Sequence, residues 1–354
     1  MSRPQSSPFA RELCGVYVLL ITYATLHPFS GWRDSGLSPF AWLEKWPRLA
    51  LPWDLAQNAV AYAPLGLLIV WAATPLVRVA GSVLLALLCG LAVSAALESL
   101  QTYLPSRIPS LMDLVANGAG ALIGAIIGAV AITLFGGGRI AGLARRWFSD
   151  APGASRALIL AVLWLFGLLF PESMLFGHGN LLGYVGPMSG YPFTPAEFVR
   201  VETAVTATSL FAAGSLALAA LTPAAPRIFF VLLFCATACA VRAVSQGILF
   251  PPEFAWAWLT PGAIRGLAAG AIALIVTVAL PRPMRMALVA ITVTFAAVVV
   301  NIAPPNPYYL ATVQELNPGR FLNFNGLTQL VSAAWPLLAL LYVPFALVLH
   351  TESH

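Results

Sequence analysis

Apolar runs of about twenty residues recur along this chain, each long enough to cross the hydrocarbon core of a bilayer. Ten are visible, at roughly 12–29, 55–73, 79–101, 113–135, 156–171, 199–221, 227–249, 262–280, 285–301 and 327–349. Lipid offers no partner to an unpaired backbone amide, so each run must satisfy its hydrogen bonds internally, as a helix. Composition agrees. Of 354 residues, 60% are hydrophobic and 9% charged, against about 25% charged in a soluble domain. The expected fold class is all-α, a polytopic transmembrane helix bundle of about ten spans. Cys14, Cys89, Cys235 and Cys239 all lie inside apolar runs and form no CxxC pair, so they read as small hydrophobes.

The net charge of +5 reports orientation rather than nucleic-acid binding. No long basic tract and no aromatic-basic interleaving is present. With the N-terminus inside, the inner segments hold Arg3, Arg11, Arg78, Arg139, Arg145, Arg146, Arg156, Arg227, Arg282 and Arg285. The outer loops hold Arg33, Lys45, Arg48, Arg107 and Arg320. That imbalance predicts N-in and C-in. The outer loops, such as Phe29 to Trp53, Pro171 to Glu197 and Ile302 to Asn325, are longer and richer in Pro and aromatics. Trp32, Trp42, Trp46 and Trp53 suit an interfacial belt.

Sliding the chain against itself by 148 residues brings Thr74-Pro75 onto Thr222-Pro223, Gly66 onto Gly214, Gly118 onto Gly266 and Glu98 onto Gln246. The register holds across three spans and predicts a duplicated four-helix unit. Four spans is an even number, so both copies keep one orientation. The expected division is a first unit at 1–135, a cytoplasmic linker at 136–155 carrying Gly136-Gly137-Gly138, a second unit at 156–281, and two further helices with a tail at 282–354.

The second copy lacks much of the first copy's polar set. Ala255 stands opposite Arg107, Pro261 opposite Asp113 and Arg265 opposite Asn117. The candidate site therefore belongs to the first copy. Asp54 and Asn58 are four apart and share a helix face, as do Asp113 and Asn117. Glu98 and Gln101 are three apart near the outer end of the third span. Arg107 lies in the polar elbow between the third and fourth spans, and His27 ends the first span at the same level. A carboxylate in lipid costs at least about 2.5–3.5 kcal/mol, so these groups are expected to face the bundle interior and to pair. Arg107 can fork onto Glu98 or Asp113, or receive a phosphate or carboxylate from outside. Glu98 and then Asp113 are the candidate proton-accepting carboxylates. Arg107, Gln101, Asn117, Asn58 and Asp54 are the candidate ligand-binding groups.

A purely structural use competes with this. Asp54 and Asp113 can be N-caps, Asn117 and Gln101 interhelical hydrogen-bonding groups, and Arg107 a clasp on the elbow. Gly120, Gly124 and Gly128 put a small residue on one face of the fourth span every four positions, a packing signal. Pro64 predicts a kink in the second. GxxxxGK[ST], HExxH, GxSxG and CxxC are all missing. Gly177-His178-Gly179-Asn180 has no phosphate-loop spacing. No metal or cofactor is implied.

Taken in order, Asn58 with Pro64-Leu65-Gly66, Glu98-Ser99-x-Gln101, Arg107, and Asp113-x3-Asn117-Gly118-x-Gly120 resemble the VanZ-like family of membrane proteins. The resemblance covers residues 12–135, the first four spans. That family is named for a protein linked to teicoplanin resistance, and its biochemical activity is poorly defined. The resemblance implies a multi-pass protein of a bacterial inner (cytoplasmic) membrane, with the bilayer as partner. It points towards the cell envelope and supplies no reaction. The convergence of acid, base and amide groups at one depth leads to the expectation of a polar site near the outer leaflet that binds or processes a lipid-linked or peptidoglycan-like envelope component and affects glycopeptide susceptibility. The alternative is a non-enzymatic transporter-like or scaffold protein whose repeats pack around a polar seam.

Overall fold

The computed structural model describes residues 8–34, 36, 38–44, 52–74, 76–136, 138–151, 153–181, 194–251, 254–303 and 322–351. Arg3, Lys45, Trp46, Arg48, Pro75, Gly137 and Arg320, used above, lie outside them, as do 182–193 and 304–321 of the expected outer loops. Among the described residues the regular structure is helical. The chain divides into two compact units, Met1–Ala144 and Arg145–His354.

The first unit holds α1 (Pro8–Leu26), α2 (Pro52–Ala73), α3 (Val79–Gln101), α4 (Leu111–Phe135) and most of α5 (Gly138–Trp147). A short 3-10 turn, Ala41–Glu44, lies between α1 and α2. The second unit holds α6 (Ala154–Gly167), α7 (Pro195–Ala219), α8 (Arg227–Leu249), α9 (Pro261–Thr277), α10 (Arg282–Ile302) and α11 (Leu322–Thr351). Each of the ten expected apolar runs is a helix. Among the described residues, eight helices are long and apolar enough to cross a membrane. The other two apolar ones, α6 and α9, have 14 and 17 residues, or about 21 and 26 Å at 1.5 Å per residue. The stretch read as a linker contains α5, which carries Arg145 and Arg146 in its last turn.

Helix ends follow capping chemistry. Ser110 is extended, and its Oγ accepts the Met112 N–H at 3.2 Å, so α4 begins there. Asp113 is therefore not the cap; it lies inside the first turn. Thr194 and Glu197 form a capping box at α7, followed by Pro195 at the first helical position. Thr260 starts α9 the same way, accepting the Ala263 N–H at 3.0 Å.

Glycines set the closest packing. A Cβ on Gly120 or Gly124 would run into the backbone carbonyls of Ala59 and Ala63, and Gly66 lies just as tightly on Ala121. The small-residue face of α4 thus meets the backbone of α2 directly. Pro64 lies inside α2, where the helix continues past it. In the second unit, Gly262, Gly266 and Gly270 of α9 lie against α7 at Val199, Thr203 and Ala207.

The segment after α6 departs from expectation. Pro171 to Asn180 belongs to an expected outer loop, yet Pro171, Glu172 and Met174–Gly179 are buried. Buried irregular backbone needs partners, and surrounding helices supply them. Arg242 of α8 donates to the Phe170 carbonyl at 2.9 Å and the Glu172 carbonyl at 3.2 Å. Ser245 reaches the Leu169 carbonyl at 2.7 Å and Thr206 the Leu175 carbonyl at 3.0 Å. Asn301 of α10 donates to the Gly179 carbonyl at 2.7 Å and accepts the Leu181 N–H at 2.8 Å. Gly179 has φ +87° with Pro336 against it, a place that only glycine fits without strain. The Glu172 carboxylate accepts from Ser332 at 2.7 Å and Asn180 at 3.1 Å. His178 sits between the Trp164 and Phe176 carbonyls and stacks on the Trp164 ring at 5.4 Å.

Candidate functional site

The elbow between α3 and α4 spans residues 102–110 and draws the end of α1 to itself. Gln101 is buried, and its amide donates to the Thr25 carbonyl at 3.1 Å. Arg107 donates through Nε to the His27 carbonyl at 3.1 Å, and a second time through Nη2. Both groups therefore satisfy carbonyls at the C-terminal end of α1, where helix carbonyls lack partners. Burial pulls the Arg107 guanidinium below its usual pKa, but an arginine remains a cation at neutral pH. His27 in turn meets the Tyr23 hydroxyl at 3.2 Å.

The carboxylates lie behind the elbow. Glu98 is 3% exposed, and its Oε2 accepts the Ser110 N–H at 2.9 Å. What holds Glu98 is thus a backbone amide of the next helix's cap. Asp113 is hydrogen-bonded by the Asn58 side chain; the charge of Asp54 reaches it, and its own charge reaches Glu98. Asp54 is exposed in the first turn of α2. One turn deeper, Asn117 donates from Nδ2 to Ser94 at 2.9 Å, and Ser94 is also bonded to Tyr62. The buried Asn117 Oδ1 has no hydrogen-bond partner. The seven sequence candidates thus fall into two groups: Gln101 and Arg107 at the elbow, and Asp54, Asn58, Glu98, Asp113 and Asn117 along the α2–α3–α4 seam.

Three participants escaped the sequence reading. Ser94 and Tyr62 were legible by spacing, since Ser94 is one turn before Glu98 and Tyr62 one turn after Asn58. A hydroxyl inside an apolar run carries little signal by itself. Trp42, expected in an interfacial belt, has a ring that is 4% exposed, with the indole N–H on the Pro39 carbonyl at 2.9 Å and near the Ser99 hydroxyl at 3.4 Å.

In front of the elbow lies a half-open cleft of about 280 Å³, lined by Arg33, Trp42, Gln101, Leu104, Arg107 and Ile108 among others. Arg33 is brought there by its own N–H, which bonds the Tyr103 carbonyl at 3.0 Å. The cleft presents two guanidiniums, an amide and an indole, and no carboxylate among the described residues that line it. Only the elbow separates it from Glu98: Pro109 lines the cleft and Ser110 holds the carboxylate. Such a surface suits an anionic group carried on an apolar or ring-bearing body.

The family model described as VanZ/LLP1 matches residues 11–132. The N-terminal part of this chain is VanZ-like. The matched VanZ-like stretch contains the whole of α2 and α3, the elbow and nearly all of α4. Neither curated proteins nor solved structures returned a match.

Proposed function

We propose that the VanZ-like unit binds the anionic group of a lipid-linked or peptidoglycan-like envelope component in the cleft between Arg33 and Arg107. The observation that carries this reading is the pairing of two guanidiniums with Trp42 and Gln101 in one recess that has no carboxylate on its described wall. Arginine forks match phosphate and carboxylate oxygens, and an indole face suits a sugar or chain beside them. Glu98 and Asp113, just behind the elbow, are the candidate groups for moving a proton if the ligand is processed. The cleft then faces the outer leaflet of a bacterial inner membrane, in the N-in, C-in arrangement that the Arg distribution predicts.

The duplicated architecture belongs to the same proposal. The bounds of α3 and α8 differ by 148 residues at both ends. α4 and α9 each place glycines four apart against the second helix of their own unit, α2 and α7 respectively. α9 begins two residues later than a gapless 148-residue offset requires. The second copy would then be a supporting half.

A scaffold role is the competing reading, and one observation favours it: Gln101 and Arg107 both spend hydrogen bonds on the end of α1. Complementation separates the two. In a deletion strain, Arg33→Gln is expected to lose the envelope-drug phenotype, teicoplanin susceptibility included, while reaching the membrane at wild-type level. A wild-type phenotype for both Arg33→Gln and Glu98→Gln at normal membrane levels would remove the binding reading and leave the scaffold.

A further inference from the structure

The second unit gathers three arginines at one end. Arg227 opens α8 and Arg282 opens α10, with Arg285 one turn further on. Arg227 and Arg285 both donate Nη1 to one acceptor, the Val278 carbonyl, at 3.2 and 3.5 Å. Arg282 reaches the Tyr342 hydroxyl at 3.3 Å. The charges of Arg227 and Arg282 both act on Arg285. Arg285 is 4% exposed, and the buried Nε of each of the three has no hydrogen-bond partner among the described residues.

Among the described residues this arrangement is uncompensated. The partners in place there are neutral oxygens. Glu172, Glu197 and Glu202 are engaged by Ser332, Thr194 and Thr260, and Asp150 is exposed. The starts of α8 and α10 add the positive ends of two helix dipoles, and neither Pro226 nor Pro281 supplies a side-chain cap. Orientation by positive charge alone needs arginines in water, where their donors are hydrated. It does not account for burying Arg285 with donor groups left over. A buried donor without an acceptor is costly, and an anion with several oxygens would satisfy several at once.

We propose that Arg227, Arg282 and Arg285 form a site for the phosphate headgroup of an anionic membrane phospholipid. The site's surroundings choose lipid over a soluble phosphate. Ile228, Phe229 and Met284, beside the arginines on the first turns of α8 and α10, are each more than half exposed. They offer an apolar surface to the acyl chains of a lipid whose headgroup sits on the guanidiniums. Basic recesses between membrane helices hold anionic headgroups in this way.

The test uses the full chain in zwitterionic detergent, with phosphatidylglycerol, phosphatidylcholine or inorganic phosphate added. Two readouts are taken: the thermal midpoint, and the lipid retained after gel filtration, measured by mass spectrometry. Phosphatidylglycerol is expected to raise the midpoint and to be retained, and phosphatidylcholine is not. Arg227→Gln and Arg285→Gln are each expected to weaken retention about tenfold, the loss of one charge-assisted contact. Arg227→Gln is the safer variant, because Arg227 is only half-buried. Its midpoint without lipid and its gel-filtration peak show whether it has folded. Wild-type retention by both folded variants would overturn the proposal. So would stabilisation by inorganic phosphate equal to that by phosphatidylglycerol, which would make the ligand a soluble anion. The arginines lie outside the Arg33–Arg107 cleft, so this result and the complementation result stand independently.

Discussion

The guanidinium of Arg107 clasps the carbonyl of His27, eighty residues earlier in the chain. It does so twice, and beside it Gln101 takes the Thr25 carbonyl. A cation at the C-terminal end of a helix is favoured by the dipole as well as by the hydrogen bonds. Arg107 therefore fixes the end of α1 and lines a cleft at the same time.

Arg107→Ala is accordingly expected to destabilise the unit by about 1–3 kcal/mol, the cost of a carbonyl left without its donors. Arg107→Lys should recover part of this, since an ammonium can donate but cannot fork. Thermal midpoints of the two purified variants check it; equal midpoints for Ala and wild type would contradict the clasp.

Arg33 separates binding from stability. Its side chain is exposed at the cleft, so Arg33→Gln is expected to change stability by less than about 0.5 kcal/mol while impairing the function scored by complementation. A large drop in thermal midpoint would show that Arg33 is structural too.

The seam between α2 and α4 makes the sharpest packing prediction. Gly124→Val places a Cβ bearing two methyl groups where the Ala63 carbonyl already sits, and overpacking of this kind costs about 1–3 kcal/mol or more. Gly142→Ala has open space around it and is expected to be neutral or slightly stabilising. Expression and gel-filtration behaviour of the pair provide the comparison.

In the second unit, Arg242→Met should be among the most damaging single changes. It removes the donors to the Phe170 and Glu172 carbonyls in a buried, non-helical segment. The Phe170 carbonyl keeps the Glu172 N–H at 2.9 Å, so the Glu172 carbonyl is the acceptor left stranded, and the expected cost is about 1–3 kcal/mol. A wild-type denaturation curve would mean that the segment rearranges to find other donors.

The helices were legible because lipid enforces a single rule, apolar and long, that single residues cannot disguise. The placement of α3 over 79–101 needed nothing else. The site was legible only as far as helical spacing carries. Asp113 with Asn58, and Asn117 with Ser94, depend on how three helices are rotated about their axes, which the glycine contacts decide. Arg107 was legible as a cation in the elbow that forks onto a carboxylate, takes an anion from outside or clasps the elbow. The particular acceptor, the His27 carbonyl, could not be read, since every helix end offers one. The buried segment 171–180 failed for a similar reason. Its glycines and polar letters resemble a surface loop, and the side chains that satisfy it in the interior, Arg242, Thr206, Asn301 and Ser332, come from helices far along the chain.

The glycine contacts between α2 and α4 also say what can move. Where a carbonyl rests on a glycine Cα there is no space for a lipid tail, and no side chain whose rotation could loosen the contact. Those two helices behave as one rigid mast. Any widening of the cleft must then come from the parts hung on it, the elbow and the tip of α1. The Arg107 clasp is the latch that such a motion would have to release.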